Sequence, residues 1–291
     1  MGMETDTVKT VLVAAALVLI GATASSAPIA WQPPRVSSDQ FEAYAAFDPI
    51  NGDLWFVRSK PDFTGWRIKV SRCGRDGWQE PMDAPIAGDG VEADPIFADR
   101  GRTLWFISNR STDGVKRSDM DIWRVSRGRD GQWGTPERLP APINSTAQEW
   151  FPRFAPDGWL YFGSARPGGL GKTDIWRARR DRGGKWTIEN AGPAINSAAD
   201  EYEPLISPDG KTMLLGTGDG YYVSKRTPQG WSARTKLGPE INLNGSETGA
   251  TYSPTGKSWL FGRDAKDGKS GEFFLAGDRE ANWPPACPTR N

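Results

Sequence analysis

The chain has 291 residues, with 36 basic residues balanced by 36 acidic ones and no histidine. The lack of histidine excludes Ser-His-Asp and Cys-His catalysis as well as histidine-ligated metal sites. Cys73 and Cys287 are too few for a zinc cluster, and the charge balance argues against nucleic acid as a partner. We therefore expect no metal and no cofactor. The 34 glycines, 23 prolines and 14 tryptophans predict many short strands joined by tight turns.

The N-terminal region predicts export. Residues 10–24 form one apolar run, shorter than the roughly 20 residues needed to span a bilayer, and small residues follow it. This pattern predicts a secretory signal peptide over residues 1–27, cleaved after Ala24 or Ala27, with an uncleaved anchor as the alternative. Residues 28–291 contain no second apolar segment of spanning length. We expect them to form one domain, without an integral membrane segment, in the periplasm or outside the cell.

A motif that begins with glutamate recurs along residues 28–291. The clearest copy, from Glu149 to Phe162, combines Glu-x-x-Pro, a Pro-Asp-Gly turn and an aromatic strand. The leading glutamates are 46 to 57 residues apart: Glu42, Glu92, Glu149, Glu201 and Glu247. A piece such as Asp174-Ile-Trp176 follows, and then a tryptophan-led piece that often ends in Ile-Asn. Each unit therefore predicts four short strands.

Four-stranded units of this length indicate a β-propeller, because one unit alone cannot bury both of its faces. We predict an all-β fold with five blades, and with six blades as the alternative. Trp31 opens a Trp-x-x-Pro piece like the fourth-strand piece that begins at Trp133. The strand near Trp31 is therefore expected to complete the last blade and close the ring, which removes a free sheet edge.

The repeated pieces resemble a known repeat. Glu-x-x-Pro-x-Phe-x-Pro-Asp-Gly, Leu-Tyr-Phe-x-Ser-x-Arg and Asp-Ile-Trp look like the WD40-like (PD40) repeat of TolB-like periplasmic proteins, over residues 30–285. The resemblance implies a non-catalytic binding or scaffolding propeller of the cell envelope, with an envelope or periplasmic protein as its partner. We expect a monomer. The alternatives are a glycan-acting hydrolase and a protein that binds a small ligand or cation in the channel.

The five leading glutamates begin the strands expected to be innermost. There they would form a circle near one mouth of the central channel, as candidates for binding a cation or a basic segment of a partner. The competing interpretation is that each carboxylate accepts backbone N–H bonds from a neighbouring blade. Recurrence in every unit favours this structural role.

The residues two positions further on differ from unit to unit: Tyr44, Asp94, Phe151, Glu203 and Gly249. Strand alternation predicts that they share the glutamates' face and line a binding channel. Asp94 and Glu203 are the candidates for an acid–base pair in the hydrolase alternative, since glycoside hydrolysis needs two carboxylates and no histidine.

Cys73 lies in the first unit and Cys287 near the C-terminus, and a closed ring brings these regions together. In an oxidising compartment a disulfide between them would fix the closure, and the alternative is two free thiols. On the chain-entropy estimate such a bond contributes about 4–5 kcal/mol at most.

Tryptophans at matching repeat positions are expected to pack between blades: Trp133, Trp186 and Trp231. Trp150 and Trp159 are not repeated. These two residues are therefore candidates for an exposed contact surface.

Overall fold

A computed structural model of the chain describes residues 27–264 and 270–287. The predicted signal peptide falls on residues 1–27 and, apart from Ala27, lies outside the described residues. Within the described ranges the helical element is a single 3-10 turn, Asp99–Gly101. No helix there is long and apolar enough to cross a membrane.

The strands of the described residues fall into five units that follow one another along the chain. The N-terminal strand is β1 (Ile29–Trp31). The first unit contains β2 (Phe41–Phe47), β3 (Leu54–Ser59), β4 (Arg67–Ser71), the hairpin of β5 (Cys73–Gly74) and β6 (Gly77–Trp78), and β7 (Met82–Asp83). The second contains β8 (Glu92–Ala98), β9 (Thr103–Ser108), β10 (Asp121–Ser126) and β11 (Glu137–Arg138).

The remaining units have the same plan. The third contains β12 (Glu149–Phe154), β13 (Leu160–Ser164), β14 (Asp174–Arg180) and β15 (Trp186–Asn190). The fourth contains β16 (Glu201–Ile206), β17 (Thr212–Thr217), β18 (Gly220–Thr227), β19 (Gly230–Trp231) and β20 (Thr235–Lys236). The fifth contains β21 (Thr248–Tyr252), β22 (Ser258–Asp264) and β23 (Gly271–Gly277).

The first long strand of each unit lies innermost. β2 contacts β8, β8 contacts β12, β12 contacts β16, β16 contacts β21, and β21 contacts β2, so these strands form a circle. Within a unit the strands pair in antiparallel sequence order, as in β12-β13-β14-β15. The predicted all-β propeller is therefore confirmed. The count of five blades stays a prediction, and the circle of inner strands supports it.

The two ends of the described chain meet at one place. β1 pairs with β23, where Trp31 lies opposite Phe273, so β1 takes the fourth place in the last unit. Trp31 and Trp283 pack against a core cluster shared by the first and last units. Cys73 and Cys287 form a disulfide there, with their Cα atoms 5.4 Å apart, which confirms the predicted pairing. Ring closure by β1 remains a prediction, which this pairing supports.

The Pro-Asp-Gly motif forms the turn between β12 and β13. Proline holds φ near −65° at the position where the chain begins to reverse. The side chain of Asp157 accepts a hydrogen bond from the backbone N–H of Trp159 at 3.3 Å. Gly158 has a φ of 84°, in the left-handed region that favours glycine. The motif therefore ends one strand and starts the next, as predicted.

The repeated tryptophans pack at the boundaries between units. The ring of Trp133 in the second unit lies 5.6 Å from that of Trp55 in the first. The indole N–H of Trp231 in the fourth unit donates to the hydroxyl of Tyr161 in the third at 3.3 Å. Trp186 packs against a core cluster that contains residues of the first three units. These contacts confirm the predicted packing role.

The asparagine of the Ile-Asn pieces ties each outer connection to the third strand of its unit. Asn196 is 3% exposed. Its side chain accepts the N–H of Ile175 at 2.7 Å and donates to the carbonyl of the same residue at 2.9 Å. Asn144 and Asn242 make equivalent pairs of bonds. The asparagine therefore has a structural role, which is to fix the outer connection to the third strand by a pair of hydrogen bonds.

We expect Asn196→Ala to lower the free energy of unfolding by about 2–3 kcal/mol, because it leaves a buried N–H and a buried carbonyl of Ile175 without partners. Urea unfolding followed by tryptophan fluorescence measures the change. Asn51→Ala, at an exposed turn position, is the matched control and should cost below about 1 kcal/mol. Equal losses of unfolding free energy in the two variants would contradict this structural role of Asn196.

Candidate binding site at one end of the channel

A cavity of about 600 Å³, here called the aromatic cavity, lies at one end of the ring. Its aromatic lining residues are Tyr44, Phe63, Trp66, Trp150, Phe151 and Tyr202. Its acidic lining residues are Asp94, Asp200 and Glu247. Gln148, Gly218 and Gly245 also line it and are exposed. The cavity therefore opens to solvent at a rim made by loops.

An irregularity repeated in the inner strands shapes the floor of this cavity. The pairing of every inner strand with the second strand of its unit shifts register near the start of the inner strand, as between Ala43 and Ala46 in β2. Tyr44, Asp94 and Phe151 have φ angles of 60°, 55° and 49°. Such bulges re-aim side chains. All three side chains line the cavity.

Three aromatic rings form an arc across the channel. The ring centroid of Phe151 lies 5.5 Å from that of Tyr44 and 5.4 Å from that of Tyr202. The Tyr44 hydroxyl and the Thr248 hydroxyl form a hydrogen bond of 2.8 Å. Tyr44 also lines a second cavity of about 190 Å³, further along the same strands, where Arg153 lies. Tyr44 therefore lies between the two cavities, while Phe151 and Tyr202 line only the larger one.

Asp94 places a buried carboxyl at the floor. It is 1% exposed, and one of its oxygens accepts the backbone N–H of Phe151 at 3.1 Å. Its other oxygen, Oδ1, has no hydrogen-bond partner within residues 27–264 and 270–287. Burial raises the pKa of the Asp94 carboxyl to about 7, with Arg153 opposing the shift and Glu203 adding to it. The protonation state of this group therefore changes near neutral pH.

This pKa predicts a pH-dependent contribution to stability. The folded pKa lies above the usual value of 3.8, so the folded state holds the proton more tightly and stability falls between about pH 4 and pH 7. Asp94→Asn removes that penalty while keeping an acceptor for the Phe151 N–H. We expect the variant to gain stability relative to the native chain as the pH rises, by roughly 4 kcal/mol at most at pH 8.

Urea unfolding at pH 4, 6 and 8 measures this difference. Asn51→Ala, at an exposed turn position and without a titratable group before or after the substitution, is the control and should show a difference independent of pH. The prediction is wrong if the difference in unfolding free energy between the native chain and Asp94→Asn stays constant from pH 4 to pH 8.

Glu203 has a different environment from Asp94. Its carboxylate accepts the N–H of Gly249 at 3.0 Å, the N–H of Ala250 at 2.5 Å and the hydroxyl of Tyr221 at 3.0 Å. It is fully buried and lines neither of the two cavities. Burial raises its pKa, which Arg153 opposes. Asp94 and Glu203, the candidate acid–base pair, therefore do not face the aromatic cavity together.

The leading glutamates divide into two groups. Glu247 lines the aromatic cavity, and the other four, Glu42, Glu92, Glu149 and Glu201, do not. Each of the five accepts the backbone N–H of the residue four positions earlier in the chain. The N–H donors thus lie in the loop that leads into the same strand, and not in a neighbouring blade as expected. Because donor and acceptor are only four positions apart in the chain, this loop can fold so that its N–H contacts the carboxylate at the start of the strand.

Arginines account for the charge of four leading glutamates: Glu42 pairs with Arg58, Glu92 with Arg67 and Arg110, Glu149 with Arg166, and Glu201 with Arg234. Glu247 has no ion pair with any described residue, although Arg263 interacts with it electrostatically. Its Oε2 atom is buried and has no hydrogen-bond partner in the part of the chain that the structure describes. Glu247 therefore differs from the other members of the repeated position.

The structure separates the two unrepeated tryptophans. Trp150 lines the aromatic cavity, and its ring lies 6.1 Å from that of Trp66. Trp159 lies elsewhere, with the guanidinium of Arg177 4.4 Å from its ring centroid. Trp66 and Phe63 are lining residues that the sequence did not single out. Both lie in the loop between β3 and β4. They have no aromatic counterparts in the other units, and this was the only feature of the sequence that could have marked them as site residues.

Comparisons with known proteins add a structural likeness. No protein-family model matches the chain, and no curated protein matches it by sequence. A TolB candidate from Agrobacterium tumefaciens is 14% identical, over 82% of this chain and 84% of that one, with a TM-score of 0.49. A gluconolactonase from Xanthomonas campestris is 12% identical over 87% and 95%, with a TM-score of 0.49.

An α-L-arabinanase from Penicillium chrysogenum, complexed with arabinobiose, is 14% identical over 90% of this chain and 85% of that one, with a TM-score of 0.47. At these identities and scores the likenesses identify no activity for this chain. The resemblance to the PD40 repeat therefore stays a prediction.

Proposed function

We propose that this chain is an exported, non-catalytic propeller of the cell envelope that binds a segment of another envelope protein in the aromatic cavity. The observation that carries the proposal is the cavity itself: about 600 Å³, lined by six aromatic residues and open at a rim of loops. Concave, largely apolar sites with a few convergent polar groups are the usual form of binding sites. Loops held by a rigid scaffold commonly make such sites.

Binding is favoured over catalysis by the state of the two candidate carboxylates. Asp94 reaches the cavity, whereas Glu203 is occupied by three hydrogen bonds within the fold. Glycoside hydrolysis by the usual mechanism needs two carboxyl groups that flank the same bond. Export is supported by the disulfide between Cys73 and Cys287, since such bonds persist in oxidising compartments.

Capture of partners from the organism's own envelope, after mild crosslinking, tests the proposal. The bait is the tagged, exported chain, compared with the double variant Trp150→Ala and Tyr202→Ala. We expect a saturable partner that the native chain retains and the double variant loses. Trp159→Ala, outside the cavity, is the matched control and should retain the partner.

Two results would overturn the proposal. One is a partner held equally by the native chain and the double variant, which would place the binding surface elsewhere. The other is turnover of an oligosaccharide by the native chain that Asp94→Asn abolishes, which would favour the glycan-acting alternative. The raised pKa of Asp94, about 7, is the observation that keeps this second candidate in the test.

A further inference from the structure

The aromatic cavity has an uneven charge. Its lining includes Asp94, Asp200 and Glu247, and none of its described lining residues is lysine or arginine. Lys172 lies nearby at 3.8 Å from Asp200, but its side chain is 81% exposed at the rim. An anionic ligand would therefore meet acidic groups without a basic group within the cavity to pair with it. The lining favours a cation.

Two carboxylate oxygens of this cavity are buried and have no hydrogen-bond partner among the described residues. They are Oδ1 of Asp94 and Oε2 of Glu247, on residues that are 1% and 2% exposed. A buried carboxylate oxygen without a donor is costly, and native structures rarely leave one so. The lining also holds one buried donor without a described partner, the indole N–H of Trp66. Unpartnered acceptors therefore outnumber unpartnered donors, and the two carboxylate oxygens call for a hydrogen-bond donor from outside the chain.

The aromatic rings add a second requirement on the ligand. Trp66, Trp150, Tyr202 and Phe151 surround the same space. Ring faces attract a positive charge, and tryptophan does so most strongly. A quaternary ammonium would satisfy the rings but could not donate to the carboxylates. A group that satisfies both is an alkylammonium or a guanidinium.

We infer that the aromatic cavity binds a hydrogen-bond-donating organic cation, and that this cation is a lysine or arginine side chain of the inserted partner segment. The inference rests on the proposed function and specifies which side chain of the partner segment enters the cavity. The positive group lies among the rings and donates to Asp94 and Glu247. Arg153 is the basic group that interacts with Asp94, and it lines the smaller cavity and not the aromatic cavity.

Titration of the purified exported chain with small probes tests this inference, with tryptophan fluorescence and calorimetry as readouts. The cationic peptides are acetyl-Gly-Lys-Gly-amide and acetyl-Gly-Arg-Gly-amide. The neutral and anionic peptides carry norleucine or glutamate in the same place. The free amines are cadaverine and agmatine, and maltose represents a neutral sugar.

We expect saturable binding of the cationic peptides, at least tenfold tighter than that of the norleucine peptide, with none of the glutamate peptide. Glu247→Gln and Trp150→Ala should each weaken binding at least tenfold. Glu137→Gln and Trp159→Ala, outside the cavity, should change it less than twofold. Thermal unfolding confirms that each variant is folded before its affinity is compared.

The inference is overturned if no cationic probe binds at millimolar concentration, if norleucine or maltose binds as tightly, or if the cavity variants leave binding unchanged. Free amines that bind as tightly as the peptides would keep the cation site but overturn its assignment to a partner segment. A partner captured through the cavity, with no cationic probe bound, would overturn this inference and leave the proposed function standing.

Discussion

Replacing Cys73 and Cys287 with serine is expected to lower the free energy of unfolding by at most about 4–5 kcal/mol, and the melting temperature by roughly 7–9 °C. The disulfide joins residues 214 positions apart and lies where the two ends of the described chain meet. Without it the unfolded chain gains the entropy of a long open loop. The chain-entropy figure is an upper value, because residual structure in the unfolded chain reduces the entropy that the open loop gains.

Thermal unfolding of the native chain with and without a strong reductant is the control for this prediction. The reduced native chain should melt near the temperature of the double serine variant, and the variant should not respond to reductant. A free-thiol assay on the exported, denatured chain should count no thiols. Two thiols, or a native chain that melts at the same temperature with and without reductant, would contradict the structural role of the bond.

The architecture was predictable because its signals are local and repeated. The turn at Asp157 and Gly158 forms from three adjacent residues, so the sequence alone predicts it. The position of Cys73 beside Cys287 follows from joining the ends of a ring, once a ring is predicted. The lengths of the outer strands could not be predicted from the repeat. β7, β11 and β20 have only two residues each, and the residues around them form loops and hairpins.

The candidate site was predictable only in part. Tyr44, Asp94 and Phe151 were expected to line a channel and do line the aromatic cavity, but alternation did not predict the bulge at which each of them lies. One extra residue in a strand moves all later side chains to the opposite face. A single sequence does not reveal that residue. The only available signal for Trp66 was that it has no aromatic counterpart in the other units, which does not show where its side chain lies.

Glu203 gives the second large effect, and it distinguishes a structural carboxylate from a catalytic one. We expect Glu203→Ala to lower the free energy of unfolding by about 3–5 kcal/mol, because the N–H groups of Gly249 and Ala250 and the hydroxyl of Tyr221 lose their common acceptor. Glu203→Gln keeps one acceptor oxygen in place and should cost less than half as much. Urea unfolding measures both, with Glu137→Ala as an exposed control expected to cost below about 1 kcal/mol.

The two variants of Glu203 also separate the functional alternatives. A carboxylate that holds β16 to β21 changes stability and leaves ligand affinity in Glu203→Gln within about twofold of the native value, since Glu203 does not line the aromatic cavity. A catalytic carboxylate would show the opposite pattern: Glu203→Gln would remain as stable as the native chain and lose turnover. The three hydrogen bonds on a fully buried side chain favour the first pattern, because each removes a lone pair from the reach of any substrate.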